Sequence, residues 1–403
     1  MDTQHALPLL GGLTPQQFMR RHWQKKPLLV RQAIAGFKPF LSTSELFELA
    51  GRPEVESRLI VQKTGPKTAG ARAQSSWAMK SGPFARRALP PLKQPGWTLL
   101  VQGVDLHHAP AHGLLQQFRF LPDARLDDLM ISMATPGGGV GPHFDSYDVF
   151  LFQASGSRRW RISAQKDLSL QPDVPLKILQ NFQAEQEFVL HAGDMLYLPP
   201  RYAHDGVAVH AEEGEPTAPC MTYSIGFRAP HEAELVCALL ERLSEVVVDE
   251  AEGLPARFYR DPGQLATATP AKLPEDLVQF ARTALERALS PGLLASVLGE
   301  YLSEPKPSVW FEAGQQELTW PPVTGLRLHA RTRMLYDEAH VFINGESFLA
   351  RGADARLMRC LADQRSLSAG QWRKASADAR EALAQWLDDG WLTLDTAQAA
   401  PLS

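Results

Sequence analysis

Short apolar or alternating segments recur through the first half of the chain, between residues 55 and 227. They cover residues 55–62, 97–104, 128–134, 147–153, 158–162, 188–190, 195–198 and 221–227, and Gly, Pro, Asn or Ser residues lie between them. Because residues i and i+2 of an extended chain share a face, each segment predicts a strand. Many short strands without long helices between them predict a double-stranded β-helix, the jelly-roll barrel.

The predicted barrel is preceded by short helices and interrupted by two polar loops. Thr14 followed by Pro15 predicts a capped helix start, residues 44–49 predict a second short helix, and 27–31 predict an extended piece. The Lys- and Gly-rich stretch 63–76, with Lys63, Lys67 and Arg72, and the polar stretch 211–219 predict loops.

After Pro230 the apolar residues recur with helical spacing. Helices are predicted over 232–248, 277–288 and 293–302. In the first of them, Leu235, Leu239 and Leu243 recur every four positions, and Val246 and Val247 continue the apolar face. The last hundred residues predict a strand over 326–336, an Asn-Gly hairpin at 341–345, helices near 354–363 and 377–388, and a strand over 391–394. These patterns predict three parts, 1–229, 230–305 and 306–403, of which the third is winged-helix-like.

Composition excludes several classes of protein. The 403 residues are 44% hydrophobic and 21% charged, which is typical of globular chains. A formal net charge of -4 gives no overall attraction to nucleic acid and does not repel a basic partner. No apolar run is long enough to cross a membrane, no signal-peptide pattern is present, and three sparse Cys residues fit a reducing compartment. We therefore expect a cytoplasmic protein.

Candidate metal ligands lie beside the predicted catalytic strand. His143 and Asp145 follow a glycine-rich bend at 136–139, and in an extended chain both side chains point the same way. A turn, a short strand and a proline stop over 193–200 can return His204 to the same place. A lone His-x-Asp is also compatible with hydrogen bonding at a strand end. Two His and one carboxylate together form the facial triad of non-haem Fe(II) oxygenases, although these ligands suit zinc or manganese as well.

An arginine is predicted inside the barrel. In the strand 158–162, Arg158 and Trp160 face one way, whereas Arg159 and Arg161 face the other and are expected to be solvated. A buried arginine is costly unless it meets an anion. The alternative interpretation is a surface arginine cluster.

Several of these stretches resemble one family. They are 127–132, His143-x-Asp145, 158–160, 193–204, 223–228 and the N-terminal 22–27. The chain resembles the JmjC-type ribosomal oxygenases of bacteria, members of the cupin superfamily, densely over 14–230 and more weakly beyond. One departure is Arg201, which stands where the second cupin motif usually has Gly.

The resemblance implies a function and a set of roles. It implies an Fe(II)- and 2-oxoglutarate-dependent dioxygenase that uses O2 to hydroxylate the β-carbon (C3) of an arginine in the sixteenth large-subunit ribosomal protein, giving succinate and CO2. His143, Asp145 and His204 would hold the metal, Arg158 would anchor the far carboxylate of 2-oxoglutarate, and the Ser132 hydroxyl would assist. It also implies that the helical region 230–305 pairs two copies as a homodimer.

Other functions remain open at this point. The chain could be a 2-oxoglutarate oxygenase for another protein or a small molecule, a cupin enzyme or isomerase that does not use 2-oxoglutarate, or a non-catalytic ribosome-binding protein. Asp148 is the acidic group to test for a contact with a substrate guanidinium, although a regular strand would turn it away from Asp145. The Asp and Glu residues among the arginines of the C-terminal helices indicate that this part does not bind DNA.

Overall fold

The computed structural model describes residues 2–64, 75–210, 219–251, 257–314 and 318–395. Of the two predicted polar loops, residues 65–74 and 211–218 lie outside these ranges. The chain divides into two compact units, Met1–Ala229 and Pro230–Ser403. None of the helices within the described ranges is long and apolar enough to cross a membrane.

The first unit consists mainly of strands. In its described residues these are β1 (Leu28–Val30), β2 (Ser57–Thr64), β3 (Ser75–Ser81), β4 (Trp97–Val101), β5 (Leu126–Ala134), β6 (Val149–Ser155), β7 (Arg158–Ser163), β8 (Gln186–Leu190), β9 (Met195–Leu198), β10 (Ala203–Ala208) and β11 (Cys220–Phe227). A large sheet has the strand order β1-β9-β6-β11-β5-β4-β2-β3, and a small sheet has the order β10-β7-β8. All of these neighbours pair antiparallel.

Alternate residues of the large sheet face two different environments. On the outer side, Ile131, Phe150 and Tyr223 join a core that also contains residues of the helices α1 (Pro15–Arg21), α2 (Thr43–Ala50) and α3 (Ala109–Gln116). On the inner side, Leu151 joins a cluster with Trp160 of the small sheet. The two sheets therefore pack face to face, and the alternating segments of the sequence reflect this division.

The short helices begin at the residues that the sequence indicates. In α1 the Thr14 hydroxyl accepts a hydrogen bond from the Gln17 backbone N–H, and the Gln17 side chain accepts one in return. Ser42 and Glu45 form the same capping box at the start of α2. These reciprocal bonds satisfy N–H groups that the first turn of a helix leaves without partners, so the predicted start at Thr14 is confirmed.

Asp194 ties the turn between β8 and β9 to the N-terminal segment. Its buried carboxylate accepts hydrogen bonds from the backbone N–H of Gln32 at 3.0 Å and of His191 at 3.1 Å, and from the Arg31 guanidinium at 2.6 Å. Burial alone would raise the pKa of this carboxyl, but the three donors outweigh burial and hold its pKa below the usual value.

We expect Asp194→Asn to lower the free energy of unfolding by about 1–3 kcal/mol at neutral pH, because buried donors lose a charged acceptor. The folded-state pKa lies below the unfolded value of about 3.9, so the contribution of the charge is complete above that value and is lost as the pH falls through the folded-state pKa. Urea unfolding at decreasing pH measures both effects. A difference between the two proteins that stays constant with pH would contradict a role for the charge.

The second unit combines helices with small sheets. Its described elements are α4 (Glu232–Ala251), α5 (Glu275–Ala288), α6 (Pro291–Ser303), β12 (Gly325–Leu328), β13 (Met334–Tyr336), β14 (His340–Ile343), β15 (Glu346–Leu349), α7 (Gly352–Gln364), β16 (Ser366–Leu367), α8 (Ala369–Trp372), α9 (Ala377–Asp388) and β17 (Leu392–Asp395). Its three-stranded sheets have the orders β16-β12-β17 and β13-β14-β15. Leu361, Leu383 and Trp386 lie in its hydrophobic core.

Helix α6 packs against the strands that follow it. A Cβ on Gly299 would lie 2.4 Å from ring atoms of Phe342, so only glycine lets the helix approach β14 this closely. The Ser303 hydroxyl accepts a hydrogen bond from the backbone N–H of Gly345 at 3.1 Å. The hairpin that contains Gly345 forms as predicted, because Asn344 and Gly345 both adopt the positive φ values of a tight turn.

The prediction of strands needs correction at two places. Strand β3, from Ser75 to Ser81, was not predicted, because its sequence is short of apolar residues. The single strand predicted over 326–336 is wrong: β12 ends at Leu328 and β13 begins at Met334. Between them the backbone N–H of Thr332 donates to the carbonyl of His329 and closes a turn, which the period of apolar residues does not reveal.

Candidate active site

Two reciprocal backbone hydrogen bonds join His143 to His204. The N–H of His143 donates to the carbonyl of His204 at 2.9 Å, and the N–H of His204 donates to the carbonyl of His143 at 2.8 Å. Their ring centroids lie 4.2 Å apart. The segment before β6, in the large sheet, is thereby fixed to the start of β10 in the small sheet. The predicted meeting of the two histidines is confirmed.

Each imidazole is oriented by a backbone carbonyl. Nδ1 of His143 lies 2.8 Å from the carbonyl oxygen of Gly141, and Nδ1 of His204 lies 2.8 Å from that of Tyr202. Since a carbonyl only accepts hydrogen bonds, both Nδ1 atoms carry the proton. In the neutral form of each ring, Nε2 then presents the lone pair that binds a metal ion.

Asp145 completes a group of three possible metal ligands. Its Oδ2 lies 3.6 Å from Nε2 of His204, and one ligand atom from each of His143, Asp145 and His204 lies within 4.8 Å of the others. His143 and Asp145 do not lie in a regular strand, as the sequence pattern suggested, because β6 begins only at Val149. They occupy the connecting segment that leads into β6.

Arg201 helps to hold this segment in place. Its backbone N–H donates to the carbonyl of Asp145 at 2.7 Å, and its φ is 62°. Glycine adopts this left-handed conformation more readily than other residues, which explains why the second cupin motif usually has Gly where this chain has Arg201.

Burial keeps His204 neutral. Removal of the imidazole from water, together with the neighbouring His143, lowers the pKa of His204 to about 4, although the Asp145 carboxylate opposes the shift. At neutral pH the ring is therefore uncharged and carries a lone pair for a cation.

The interior beside the histidines contains a buried arginine whose hydrogen-bonding capacity is only partly used. Arg158 is 3% exposed, and its Nε and Nη2 atoms have no hydrogen-bond partner among the described residues. On β10, Ala208 lies directly opposite Arg158, and its side chain therefore points the same way as that of His204 four residues earlier. The prediction that Arg158 faces the barrel interior is confirmed. A buried guanidinium in this state requires an anion to offset its desolvation.

The outward-facing arginines of β7 differ from the prediction. Arg161 is not simply solvated, because its guanidinium forms an ion pair with the buried carboxylate of Asp205. Arg159 is partly buried, and its Nε has no hydrogen-bond partner among the described residues. The period of two in the sequence gives the correct faces but does not reveal the charge that lies opposite.

Ser132 faces the same interior from the large sheet. It is buried on β5, directly between Leu100 of β4 and Thr222 of β11. Two residues later on the same face, Ala134 clusters with Ala208 of β10. The hydroxyl of Ser132 thus lies on the wall that faces the small sheet.

Tyr147 is a residue at the site that sequence reasoning did not identify. Its side chain is 41% exposed, two positions after Asp145. Partial burial and the nearby carboxylates of Asp145, Asp128 and Asp127 raise its pKa, so the phenol stays protonated. Asp127 and Asp145 are partly exposed and Asp128 is buried, so an accessible aromatic ring lies near negative charge, an environment that suits a cation.

Asp148 is engaged elsewhere. Its fully buried carboxylate accepts hydrogen bonds from the Tyr197 hydroxyl at 2.6 Å and the Gln24 amide at 3.0 Å, and it lies 3.5 Å from the Arg125 guanidinium. The carboxylate is saturated by the protein itself, so we do not expect it to bind a substrate guanidinium.

Comparison with known proteins identifies the family. A family model described as a JmjC domain matches residues 113–235, and one described as a ROXA-like winged helix matches residues 284–393. The ribosomal protein uL16 3-hydroxylase of Escherichia coli K12 is 36% identical over 289 residues, which cover 71% of this chain and 70% of the relative. The chain belongs to the JmjC-type ribosomal oxygenases. The predicted family and fold class, including the winged-helix part, are thereby confirmed.

Solved structures of ribosomal oxygenases agree with this membership. An X-ray structure of E. coli YcfD matches with a TM-score of 0.78 and 31% identity, over 95% of this chain and 98% of that one. A structure of the same E. coli protein in complex with cobalt and 2-oxoglutarate matches with a TM-score of 0.76 over the same shares. A probable ribosomal oxygenase of Haemophilus influenzae is 33% identical over 56% of this chain and 52% of its own length.

Proposed function

We propose that this ribosomal oxygenase is an Fe(II)- and 2-oxoglutarate-dependent dioxygenase that hydroxylates C3 of an arginine in ribosomal protein uL16. The observation that carries the proposal is the buried Arg158, whose Nε and Nη2 have no hydrogen-bond partner among the described residues, in the same interior as the cluster of His143, Asp145 and His204. A co-substrate that binds a metal at one end and carries a carboxylate at the other needs both the metal ligands and a cationic anchor. The similarity to the E. coli uL16 3-hydroxylase supports the substrate.

His143, Asp145 and His204 are the proposed metal ligands. Two imidazoles and one carboxylate fit the facial triad of non-haem iron enzymes, and the backbone carbonyls that accept from Nδ1 would leave Nε2 of each ring to bind the ion. Bound Fe(II), with 2-oxoglutarate and O2, supplies oxidative decarboxylation to succinate and CO2 and hydroxylation of a C–H bond. The E. coli relative's complex with cobalt and 2-oxoglutarate supports this cofactor set.

The chain's own residues position the reactants and exclude water. Arg158 is proposed to bind the far carboxylate of 2-oxoglutarate with parallel hydrogen bonds from its planar guanidinium, and the Ser132 hydroxyl is proposed to add another. The apolar side chains of Leu151, Ile162 and Leu196 line the space between the two sheets and keep it dry. A low-dielectric surrounding strengthens each of these polar contacts.

Removal of one ligand is expected to abolish tight metal binding. His143→Ala and Asp145→Ala each leave two ligands, and we expect each to weaken Co(II) affinity by at least about 100-fold. Isothermal titration of metal-free protein measures the effect. His191→Ala is the matched control, because His191 lies in the turn before β9 and is hydrogen-bonded to Ser157. Tight Co(II) binding by the Asp145 variant would contradict the ligand assignment.

Loss of the anchor is expected to weaken co-substrate binding. Arg158→Met removes the charge at similar size, and we expect the free energy of 2-oxoglutarate binding to Co(II)-loaded protein to fall by about 2–5 kcal/mol, since a buried carboxylate loses its partner. Arg159→Met, on the opposite face of β7, should leave the affinity unchanged. Equal affinity of wild type and Arg158→Met would contradict the assignment of Arg158 as the anchor, and absence of 2-oxoglutarate binding by both would favour a cupin enzyme that does not use it.

The surface around Tyr147 is proposed to receive the substrate arginine. A guanidinium stacks on aromatic faces and pairs with carboxylates, and Tyr147 offers a ring beside Asp127 and Asp128. Asp127 is partly exposed and lies 3.6 Å from the Arg228 guanidinium, whereas Asp128 is buried, accepts a hydrogen bond from the backbone N–H of Gly103 and contributes its charge from below the surface. The acidic balance of the chain agrees with a basic ribosomal protein as partner. Such a substrate would place the activity in the cytoplasm.

Mass spectrometry of uL16 tests the proposed reaction. After incubation with the enzyme, Fe(II), ascorbate and 2-oxoglutarate, we expect an arginine peptide of uL16 to gain one oxygen atom, and His143→Ala to give no gain. Succinate release without a gain on uL16 would support the oxygenase activity but contradict uL16 as the substrate, and would favour another protein or a small molecule. If neither succinate nor hydroxylated uL16 forms, the result favours a non-catalytic ribosome-binding protein.

The helical region 230–305 is proposed to join two copies as a homodimer. Large apolar side chains remain exposed on α4 and α5, among them Leu240 at 51% and Leu285 at 62%. Exposed apolar side chains on neighbouring turns of a helix are typical of association surfaces. The proposed division into parts 1–229, 230–305 and 306–403 assigns this role to the middle part, although α6 at its end packs against β14 of the third.

Charge substitutions on these helices are expected to separate the copies. Leu240→Asp and Leu285→Asp each place a carboxylate on the exposed apolar surface, which is costly to bury. Sedimentation velocity should show a dimer for the wild type and a monomer for at least the double variant. A monomeric wild type would contradict the proposal.

The winged-helix part is proposed not to bind DNA. Asp378, Glu381 and Asp388 are exposed along α9, and a row of carboxylates on one helix repels phosphate. We therefore assign this part a structural or substrate-docking role.

A further inference from the structure

Antiparallel pairing arranges the inner face of the small sheet in three rows. The pairs that face the interior are His204 with Ile162, Gly206 with Trp160, and Ala208 with Arg158. The first row holds a proposed metal ligand, and the third holds the proposed carboxylate anchor. The middle row pairs the large indole of Trp160 with Gly206, which has no side chain.

The indole of Trp160 packs directly against the backbone of Gly206. A Cβ on Gly206 would lie 2.5 Å from Cζ3, 2.6 Å from Cη2 and 2.8 Å from Cε3 of the indole, distances that real Cβ atoms do not show. The six-membered ring therefore lies against the strand where only glycine leaves room. The strand pairing and the small neighbour together fix the position of the ring.

The seated indole lies between the two ends of the proposed co-substrate site. Its ring centroid is 5.8 Å from that of His204, and the Arg158 guanidinium carbon is 5.8 Å from the Trp160 ring on the other side. Trp160 is 4% exposed, and its Nε1 has no hydrogen-bond partner among the described residues. A buried N–H without an acceptor is costly, and a polar ligand in the neighbouring interior would offset that cost.

We propose that Trp160, held by Gly206, sets the length of the 2-oxo dicarboxylic acid that this interior accepts. The inference rests on the proposed function and extends it to a specificity-determining residue. An acid held by the metal at one end and by Arg158 at the other must pass the indole, so the fixed ring limits the path between them. An acid with one methylene fewer or more loses one of the two end contacts, which corresponds to about 10–200-fold in affinity.

Calorimetry on Co(II)-loaded protein without O2 tests the proposal, because it measures binding and not turnover. The ligands are oxaloacetate, 2-oxoglutarate and 2-oxoadipate, which differ by one methylene each. We expect the wild type to prefer 2-oxoglutarate. Gly206→Ala pushes the indole into the interior and should shift the affinity ratio toward oxaloacetate by about tenfold or more. Trp160→Phe removes one ring and should shift the ratio toward 2-oxoadipate.

Gly226→Ala is the matched control. A Cβ at Gly226 on β11 meets its nearest atom, Oδ1 of Asp128, at 3.8 Å, which is an ordinary contact, so the affinity ratios should stay those of the wild type. Melting temperatures of all variants identify any that do not fold, and Trp160→Phe carries the test if Gly206→Ala is one of them.

The outcomes separate this inference from the function on which it rests. Opposite shifts in the two variants support the proposal. Wild-type affinity ratios in folded Trp160→Phe would overturn it while leaving the dioxygenase intact. A Co(II)-loaded wild type that binds none of the three acids would overturn the proposed function itself.

Discussion

The candidate site depends on the pair of backbone hydrogen bonds between His143 and His204. These bonds, at 2.9 and 2.8 Å, join a segment of the large sheet to the first residues of β10 in the small sheet. Each contributes only about 0.5–1.5 kcal/mol to stability, but together they fix the relative position of two imidazoles that are distant in sequence. Asp145 follows His143 by two residues, and the Arg201 N–H holds its carbonyl, so the third ligand is fixed by the same segment. Preorganised ligands of this kind bind a metal without a large loss of conformational entropy.

The interior also carries a feature that the fold alone does not justify. Within the described part of the chain, two nitrogen atoms of the buried Arg158 and the indole N–H of Trp160 beside it have no hydrogen-bond partner. Unsatisfied buried donors reduce the stability of a folded protein, so such groups are retained where a ligand relieves the cost. Apolar side chains such as that of Leu151 surround these donors. They raise the free-energy cost of leaving the donors unpaired, and they strengthen the hydrogen bonds that a bound ligand would form with them. Stability and function are therefore coupled at this place, and ligand binding should stabilise the fold.

Periodicity in the sequence was sufficient to place most strands of the barrel and to separate the two faces of 158–162, because one buried face specifies each strand, whereas the family resemblance selected Arg158 as the inward residue. The limits of that reasoning lie in contacts between distant residues. The pairing of Arg161 with Asp205 depends on the register of β7 and β10, which no single strand encodes. The exposure of Tyr147 depends on the irregular segment before β6, where alternation does not apply. The roles of the ligands and of Arg158 remain predictions that geometry supports.

The most direct test of the account is a reaction under O2 enriched in the heavy oxygen isotope, with uL16 and 2-oxoglutarate as substrates. The account predicts one heavy oxygen atom on an arginine of uL16 and one in the succinate formed. It also predicts that Arg158→Met loses both at a 2-oxoglutarate concentration near the wild-type dissociation constant. A hydroxylated arginine without the heavy isotope, or hydroxylation that does not require 2-oxoglutarate, would contradict the central claim that this interior binds both co-substrates.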